Sequence, residues 1–418
     1  MTLAESPDAS TVKQRQRRTL LTCGGAHALH DGLVDMLYVL LPVLAQSFGL
    51  NYTQVGLIRA ANKAAMALFQ IPAGLMAERL GERNLLAFGT LCTGLAFIAL
   101  GTPLGASSGF YPILVLLFIA GFGAAFQHPL CSALVSNAYP GHRRRGALGT
   151  YNFTGDVGKF TFAGGVSLAL AAGLSWEAPV MIAGALGVVI AVVIILALPA
   201  LAQPTLTSSP SPDASSDNAP LRTVAKPGWG IRDRTGFSAL CAIAVIDSST
   251  RSGFLTFVAF LMIEKGVSSG LATVAIPVIF VGGMVGKLAC GFLADRIGVI
   301  RTVVLTELAT GGGILLALVL PNLAAYALLP LIGVALNGTS SVLYGTIGDL
   351  VDSDRQSRAF GLFYTLGSTC GILAPLGYGL MGDWIGITTT LAVVGMVVFL
   401  TIPLCLVLRP AIAAHSAA

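Results

Sequence analysis

The chain has 418 residues, 55% hydrophobic and only 10% charged, with a formal net charge of +5 and a mean hydropathy of +0.82. A soluble domain carries about 25% charged residues, so a water-soluble enzyme, a disordered chain and a secreted disulfide scaffold are all excluded. The composition is that of an all-α integral membrane protein. Apolar runs between charged or Gly/Pro-rich breaks predict twelve helices, near 19–47, 52–77, 84–103, 110–137, 146–173, 178–200, 236–263, 270–293, 301–320, 323–349, 358–380 and 388–408. Each has room for the about 20 residues that a span needs, and such runs satisfy their own backbone in lipid only as helices.

Residues 1–18 form a polar, basic tail with no cleavable signal pattern ahead of the first run. The first six spans form one half, over 19–200. The segment 201–235 contains Pro204, Pro210, Pro212 and a run of Ser, Asp and Asn, and reads as a flexible linker. The last six spans form a second half over 236–409, and 410–418 is a short tail.

The basic residues set the orientation. Both tails and the even-to-odd loops hold eighteen of the 24, among them Arg143, Arg144, Arg145, Arg222, Lys226, Arg355 and Arg358, whereas Lys265 stands alone on the opposite side. That bias puts both termini in the cytoplasm, so the positive charge marks topology rather than a nucleic-acid partner. The seven cysteines stand singly in apolar stretches with no C-x-x-C pair, and neither a zinc site nor a disulfide framework is expected.

The two halves repeat. Gly74-Leu75-Met76-Ala77-Glu78-Arg79-Leu80-Gly81 closes the second span and Gly291-Phe292-Leu293-Ala294-Asp295-Arg296-Ile297-Gly298 closes the eighth; at the same spacing Gly49 falls on Gly266. Further on, Arg145–Tyr151 falls on Arg358–Tyr364, Gly158 on Gly371 and Gly164 on Gly377. Parallel repeats suit two rigid halves rocking about a midplane site.

With Arg83 and Arg301 completing them, these two copies resemble the G-x-x-x-D-R-x-G-R-[KR] loop motif of the major facilitator superfamily, and the resemblance runs along essentially the whole chain. It implies twelve helices in two pseudo-symmetric halves and alternating access, with Gly74, Glu78, Arg79, Gly81, Arg83, Gly291, Asp295, Arg296, Gly298 and Arg301 as gating residues that lock cytoplasmic helix ends in the outward-facing state. The first copy departs with Glu78 for Asp and Glu82 before Arg83; the second has Val299-Ile300 before Arg301. Within the superfamily, His27-Ala28-Leu29-His30-Asp31, Gly49-Leu50-Asn51-Tyr52 and Gln127-His128-Pro129 resemble the fosmidomycin-resistance branch of drug exporters. Two antiporter features are missing: Leu114–Gly123 has no Arg, and Phe162-Ala163-Gly164-Gly165 has no Pro.

Charges inside spans cost roughly 2.5–3.5 kcal/mol each and are functional candidates by default. Asp31 and Asp35, Arg59 and Lys63, Asp156 and Lys159, and Asp247 and Arg251 form four pairs at helical spacing, each on one face. The last two pairs can neutralise themselves. The first two need partners, and counting back from a hairpin turn near Gly49 matches Asp35 with Arg59 and Asp31 with Lys63. Asp31, Asp35, His27, His30, Asp156 and Asp247 are the proton-coupling candidates. Arg59, Lys63, Lys159, Arg251, Gln127, His128, Tyr38, Asn337 and Tyr364 are the substrate-binding candidates, with Asn152 and Tyr344 as further polar positions. Imidazole beside carboxylate could take a transition metal, but hydrogen bonding or proton relay accounts for the same residues, and no metal or cofactor is assigned. Lys287 and Glu307 are expected near the cytoplasmic ends, as gating or surface groups.

The expectation is a proton-coupled transporter, not an enzyme: no nucleophile–base set, phosphate loop or soluble catalytic domain is present. It is expected to work as a monomer in a bacterial inner membrane, with a small molecule, protons and lipid as its partners. Export of a small polar or anionic compound is the first reading; uptake of an organic anion and divalent-metal export are the alternatives.

Overall fold

The structure, a computed structural model, describes residues 9–106, 109–139, 143–198, 230–352 and 356–416. Most of the expected linker, Arg222 and Lys226 included, lies outside the described residues, as does the side chain of Glu78.

Helices make up the described chain: α1 (Ala9–Phe48), α2 (Tyr52–Leu80), α3 (Glu82–Gly101), α4 (Pro103–Ala106), α5 (Phe110–Ala124), α6 (Gln127–Ala138), α7 (Arg143–Ala171), α8 (Glu177–Ala197), α9 (Arg234–Glu264), α10 (Ser269–Ala272), α11 (Ala275–Ile297), α12 (Val299–Val319), α13 (Asn322–Leu350), α14 (Gln356–Ile385), α15 (Ile387–Val397) and α16 (Thr401–Ser416). The pairs α5/α6, α10/α11 and α15/α16 are broken forms of the fourth, eighth and twelfth expected spans.

Among the described residues, nine helical segments are long and apolar enough to cross a membrane. The three long helices outside that set are α2, α7 and α9. They carry Arg59 and Lys63, Asp156 and Lys159, and Asp247 and Arg251. Their polarity comes from the charges that the bundle encloses.

Local chemistry fixes the turns. Asn51 caps α2 in a reciprocal capping box with Gln54 (2.8 and 3.0 Å). Gly81 ends α2 and opens α3 at φ 85°, ψ 138°, and Gly298 joins α11 to α12 at φ 89°, ψ 154°. Only glycine adopts that region freely, so the repeat seen in sequence is a repeat of backbone geometry. Lys265, the exception to the charge bias, caps the far end of α12 by donating to the carbonyls of Ala317, Leu318 and Leu320 at 2.7–3.2 Å.

Helices α1–α8 form one bundle and α9–α16 the other. Large apolar side chains such as Leu186, Val189 and Leu196 on α8 point outward, as a lipid-facing surface requires. The halves meet at the end where α1 finishes and α2 begins. There the Asp383 carboxylate accepts from the backbone N–H groups of Tyr52 and Thr53 (2.7 and 2.9 Å), so an acid of α14 sits on the positive N-terminus of α2. Tyr52 donates to Glu264 (3.2 Å), the Ser167 and Thr273 hydroxyls lie 2.7 Å apart, and Ser269 bonds Gln46. Gly56 and Gly379 leave room for the backbones of α14 and α2, respectively, to lie directly against them. This end is sealed.

At the opposite end, where the doubled loop motif lies, the described residues form no such contacts between the halves. Arg79, Asp295, Arg296 and Arg301 are exposed, Arg83 bonds its neighbour Asn84, and a side chain at Gly74 or Gly291 would meet nothing. Among the described residues, no ion pair joins the two motif copies.

Candidate functional site

Between the halves lies a partly open cavity of about 200 Å³. The N-terminal half contributes Asp35 and Tyr38 from α1, Arg59 and Lys63 from α2, and Asp156 and Lys159 from α7. The C-terminal half contributes Ser248, Arg251 and Leu255 from α9, Phe280, Met284 and Lys287 from α11, Asn337 from α13, and Gly367 and Gly371 from α14. Five basic side chains and two acidic ones line one space.

Asp35 and Arg59 pair as expected, at 3.1 Å. Arg59 is 1% exposed, donates its other terminal nitrogen to the Val34 carbonyl (2.9 Å) and stacks on the Tyr38 ring (3.9 Å). A guanidinium held on three sides is a fixed part of the wall.

The expected Asp31–Lys63 pair does not form. Asp31 takes Lys159 instead, at 3.2 Å, and Lys159 also reaches Asp156 (3.4 Å) and Asp35 (3.8 Å). Depth matching was right for one pair and misleading for the other, because helix azimuth turns Asp31 toward α7 rather than α2. Lys63 is left on the cavity wall with no carboxylate within ion-pair distance among the described residues. Asp156 is not self-neutralised within α7 either: its stronger partner is Lys287 of the other half, at 2.6 and 2.7 Å. Asp247 and Arg251 do pair within α9, at 3.4 Å.

Two expectations for the cytoplasmic ends are overturned. Lys287 is a cavity residue that bridges the halves through Asp156. Glu307 is 1% exposed, with neither carboxylate oxygen hydrogen-bonded among the described residues. Both were visible in sequence as in-span charges, but position along a helix does not say which way it faces.

Behind Asp31 lies a cluster of imidazoles. His27 Nε2, His128 Nε2 and His30 Nε2 stand 3.5, 3.6 and 3.8 Å from its oxygens. His27 Nδ1 meets the Tyr151 carbonyl at 2.8 Å. A carbonyl only accepts, so that nitrogen carries the hydrogen and Nε2 faces Asp31. His27 also stacks on the Tyr151 ring (4.2 Å), whose hydroxyl accepts from Gln127 (3.1 Å). His27, Asp31 and His128 bring ligand atoms within 4.8 Å of one another, a donor set that could take a divalent ion. The Lys159 ammonium on Asp31 already supplies positive charge there and opposes one. Gln127 is buried away from the cavity, Tyr364 lies largely exposed beside Tyr344, and Asn337 lines the cavity while donating to Gly333 O (3.2 Å).

A lipid-facing bundle of two repeated halves, closed at one end around a charged central cavity, is the architecture of a membrane carrier. The chain belongs to the Major Facilitator Superfamily, whose model matches residues 24–375 and 240–417, and it is an integral membrane transporter. It is 24% identical over 389 residues to a hexuronate transporter of Bacillus subtilis (strain 168), covering 89% of each chain. It is 24% identical over 377 residues to the 4-hydroxybenzoate transporter PcaK of Pseudomonas aeruginosa, covering 83% of this chain and 80% of that one. Among solved structures it is similar to a bacterial homolog of the human lysosomal transporter Spinster in an inward-facing, occupied conformation. There the TM-score is 0.72 at 16% identity, with 99% of this chain and 97% of that one covered.

Proposed function

We propose that the chain carries a small organic anion across a bacterial inner membrane, together with protons, by alternating access. The observation that carries this reading is Lys63, a base on the cavity wall with no carboxylate of its own. The four acids Asp31, Asp35, Asp156 and Asp247 face Arg59, Lys63, Lys159, Arg251 and Lys287, which leaves one positive charge for a ligand to neutralise. The two relatives, a hexuronate transporter and a 4-hydroxybenzoate transporter, support the same substrate class.

Proton coupling follows from the shared pairs. A proton on Asp156 removes the counter-charge of Lys287 and loosens the only ion pair between the halves among the described residues, and one on Asp31 removes a counter-charge of Lys159 within the N-terminal half. Each freed ammonium then holds the anion, so proton and anion enter together and the proton gradient drives uptake. With the termini on the cytoplasmic side, the open end of the cavity faces the cytoplasm and the sealed end faces out. Export, the first expectation from sequence, requires the anion to leave against entering protons.

Purified protein in liposomes under an imposed pH gradient separates the two, with labelled 4-hydroxybenzoate and galacturonate as probes. Uptake coupling concentrates an anion on the alkaline side, whereas export coupling concentrates it on the acid side. Lys63→Ala is expected to abolish binding, and Asp156→Asn to keep exchange but lose the pH dependence. If neither probe moves with the gradient, or if Asp156→Asn keeps the wild-type pH dependence, the reading fails.

A further inference from the structure

The C-terminal half contains a buried acid that the cavity does not use. Glu307 of α12 is 1% exposed, and both of its oxygens lack a hydrogen-bond partner among the described residues. Thr310 Oγ1, one turn along α12, and Thr250 Oγ1 of α9 are likewise buried without partners. The charged groups that act on Glu307 are Asp247 and Arg251 of α9. Cys405 of α16 also faces it, and Tyr344 of α13 faces Asp247 and Arg251. Arg251 is committed to Asp247, itself 3% exposed, through its Nη1 at 3.4 Å, and it also lines the cavity.

Two buried acids therefore share one guanidinium. An ionised carboxylate enclosed without a partner is far costlier than a neutral acid, and the trio is neutral only if one acid is protonated. Asp247 has Arg251; Glu307 has nothing. We propose that Glu307 is a second proton-carrying site, protonated in the state described here, and that it exchanges its proton according to which partner Arg251 holds. The proposal rests on the proton-coupled reading above and deepens it.

The cycle conserves charge. With a proton on Glu307, Arg251 stays at the cavity wall and can take the substrate anion. When the anion leaves, the Glu307 carboxyl releases its proton to the same side, and the resulting carboxylate draws Arg251 inward between the two acids. The substrate anion and the Glu307 carboxylate thus compete for one guanidinium, and a proton decides the competition. At this site one proton binds and leaves with the anion, besides the proton that Asp156 carries.

The first test needs no ligand. Infrared spectra of the detergent-solubilised protein, titrated with pH, should show the carbonyl band of a buried carboxylic acid, lost in Glu307→Gln. The second uses whichever of 4-hydroxybenzoate and galacturonate the wild type carries. Glu307→Gln mimics the protonated acid, so it should keep exchange of labelled for unlabelled anion at the wild-type rate. Accumulation driven by the pH gradient should fall by up to about tenfold per pH unit of gradient, the work of one lost proton. Glu307→Asp, which retains a titratable group, should restore accumulation. An absent band overturns the proposal, as does undiminished accumulation in Glu307→Gln or accumulation driven by Na⁺ in place of a pH gradient. Failure of wild-type protein to move either anion with protons would strike the underlying reading instead, and the infrared result stands apart from it.

Discussion

The two halves share a scaffold and differ in how they hold charge. In the N-terminal half the three acids around the cavity are all shared: Asp31 touches Lys159 and three imidazoles, Asp35 touches Arg59 and Lys159, and Asp156 touches Lys159 and Lys287. Among the described residues inside the C-terminal spans, one ion pair, Asp247–Arg251, stands beside an acid with no base. A network can pass charge among its members when one is protonated, whereas an isolated pair can only make or break. The scaffold is therefore repeated between the halves, and the charge chemistry inside it is not.

The largest expected effect tests the network directly. Lys159→Met removes the one ammonium that reaches three carboxylates, and breaking a buried pair on one side costs about 3 kcal/mol or more. The variant should unfold at a markedly lower temperature in detergent and regain much of the loss when combined with Asp31→Asn. Arg251→Met, by contrast, strands only Asp247 and should cost less than Lys159→Met. Equal losses in thermal unfolding would erase the distinction between a shared network and an isolated pair.

An intermediate effect is expected at the sealed end, where the halves act as one. Asp383→Asn keeps the shape of the side chain and removes the charge that holds the α2 N-terminus. A hydrogen bond to a charged group contributes about 1.5–3 kcal/mol, so the sealed population should fall by about tenfold or more. Spin labels at Ser47 and Ser268, one on each half, should then show a second, longer separation. An unchanged distance distribution would mean that backbone packing at Gly56 and Gly379, rather than the carboxylate, keeps this end closed.

The scaffold was legible in the sequence because its causes are local. Apolar runs predict helices whatever their neighbours, and a glycine at a left-handed turn leaves the same mark twice. The cavity was legible in part: Asp35, Arg59, Lys63, Asp156, Lys159, Arg251, Tyr38 and Asn337 line it, and all stood out as polar groups in apolar helices. What sequence could not supply was azimuth. Asp31 and Lys63 share a depth yet point to different neighbours, and Lys287 sits a few turns from the open end yet faces inward. The apolar part of the wall, Phe280 and Met284, carries no signal in an apolar chain.

The smallest expected effect sharpens the claim that the repeat is a repeat of turns. Gly49 and Gly266 take φ of 61° and 85°, and a side chain at either would meet nothing within 4 Å. Alanine at either position should therefore cost only the backbone penalty of a left-handed residue, about 1–2 kcal/mol, and the two costs should match in chemical unfolding. Gly158 and Gly371 form the contrasting pair. Gly158 lies against the Ala28 backbone of α1, but Gly371 opens onto the cavity. Alanine should be severe at the first and mild at the second, although the sequence repeat aligns them. Matched costs at the turns with unmatched costs at the helix crossings would separate what duplication conserved, the hinges of each half, from what each half has since built around its own charges.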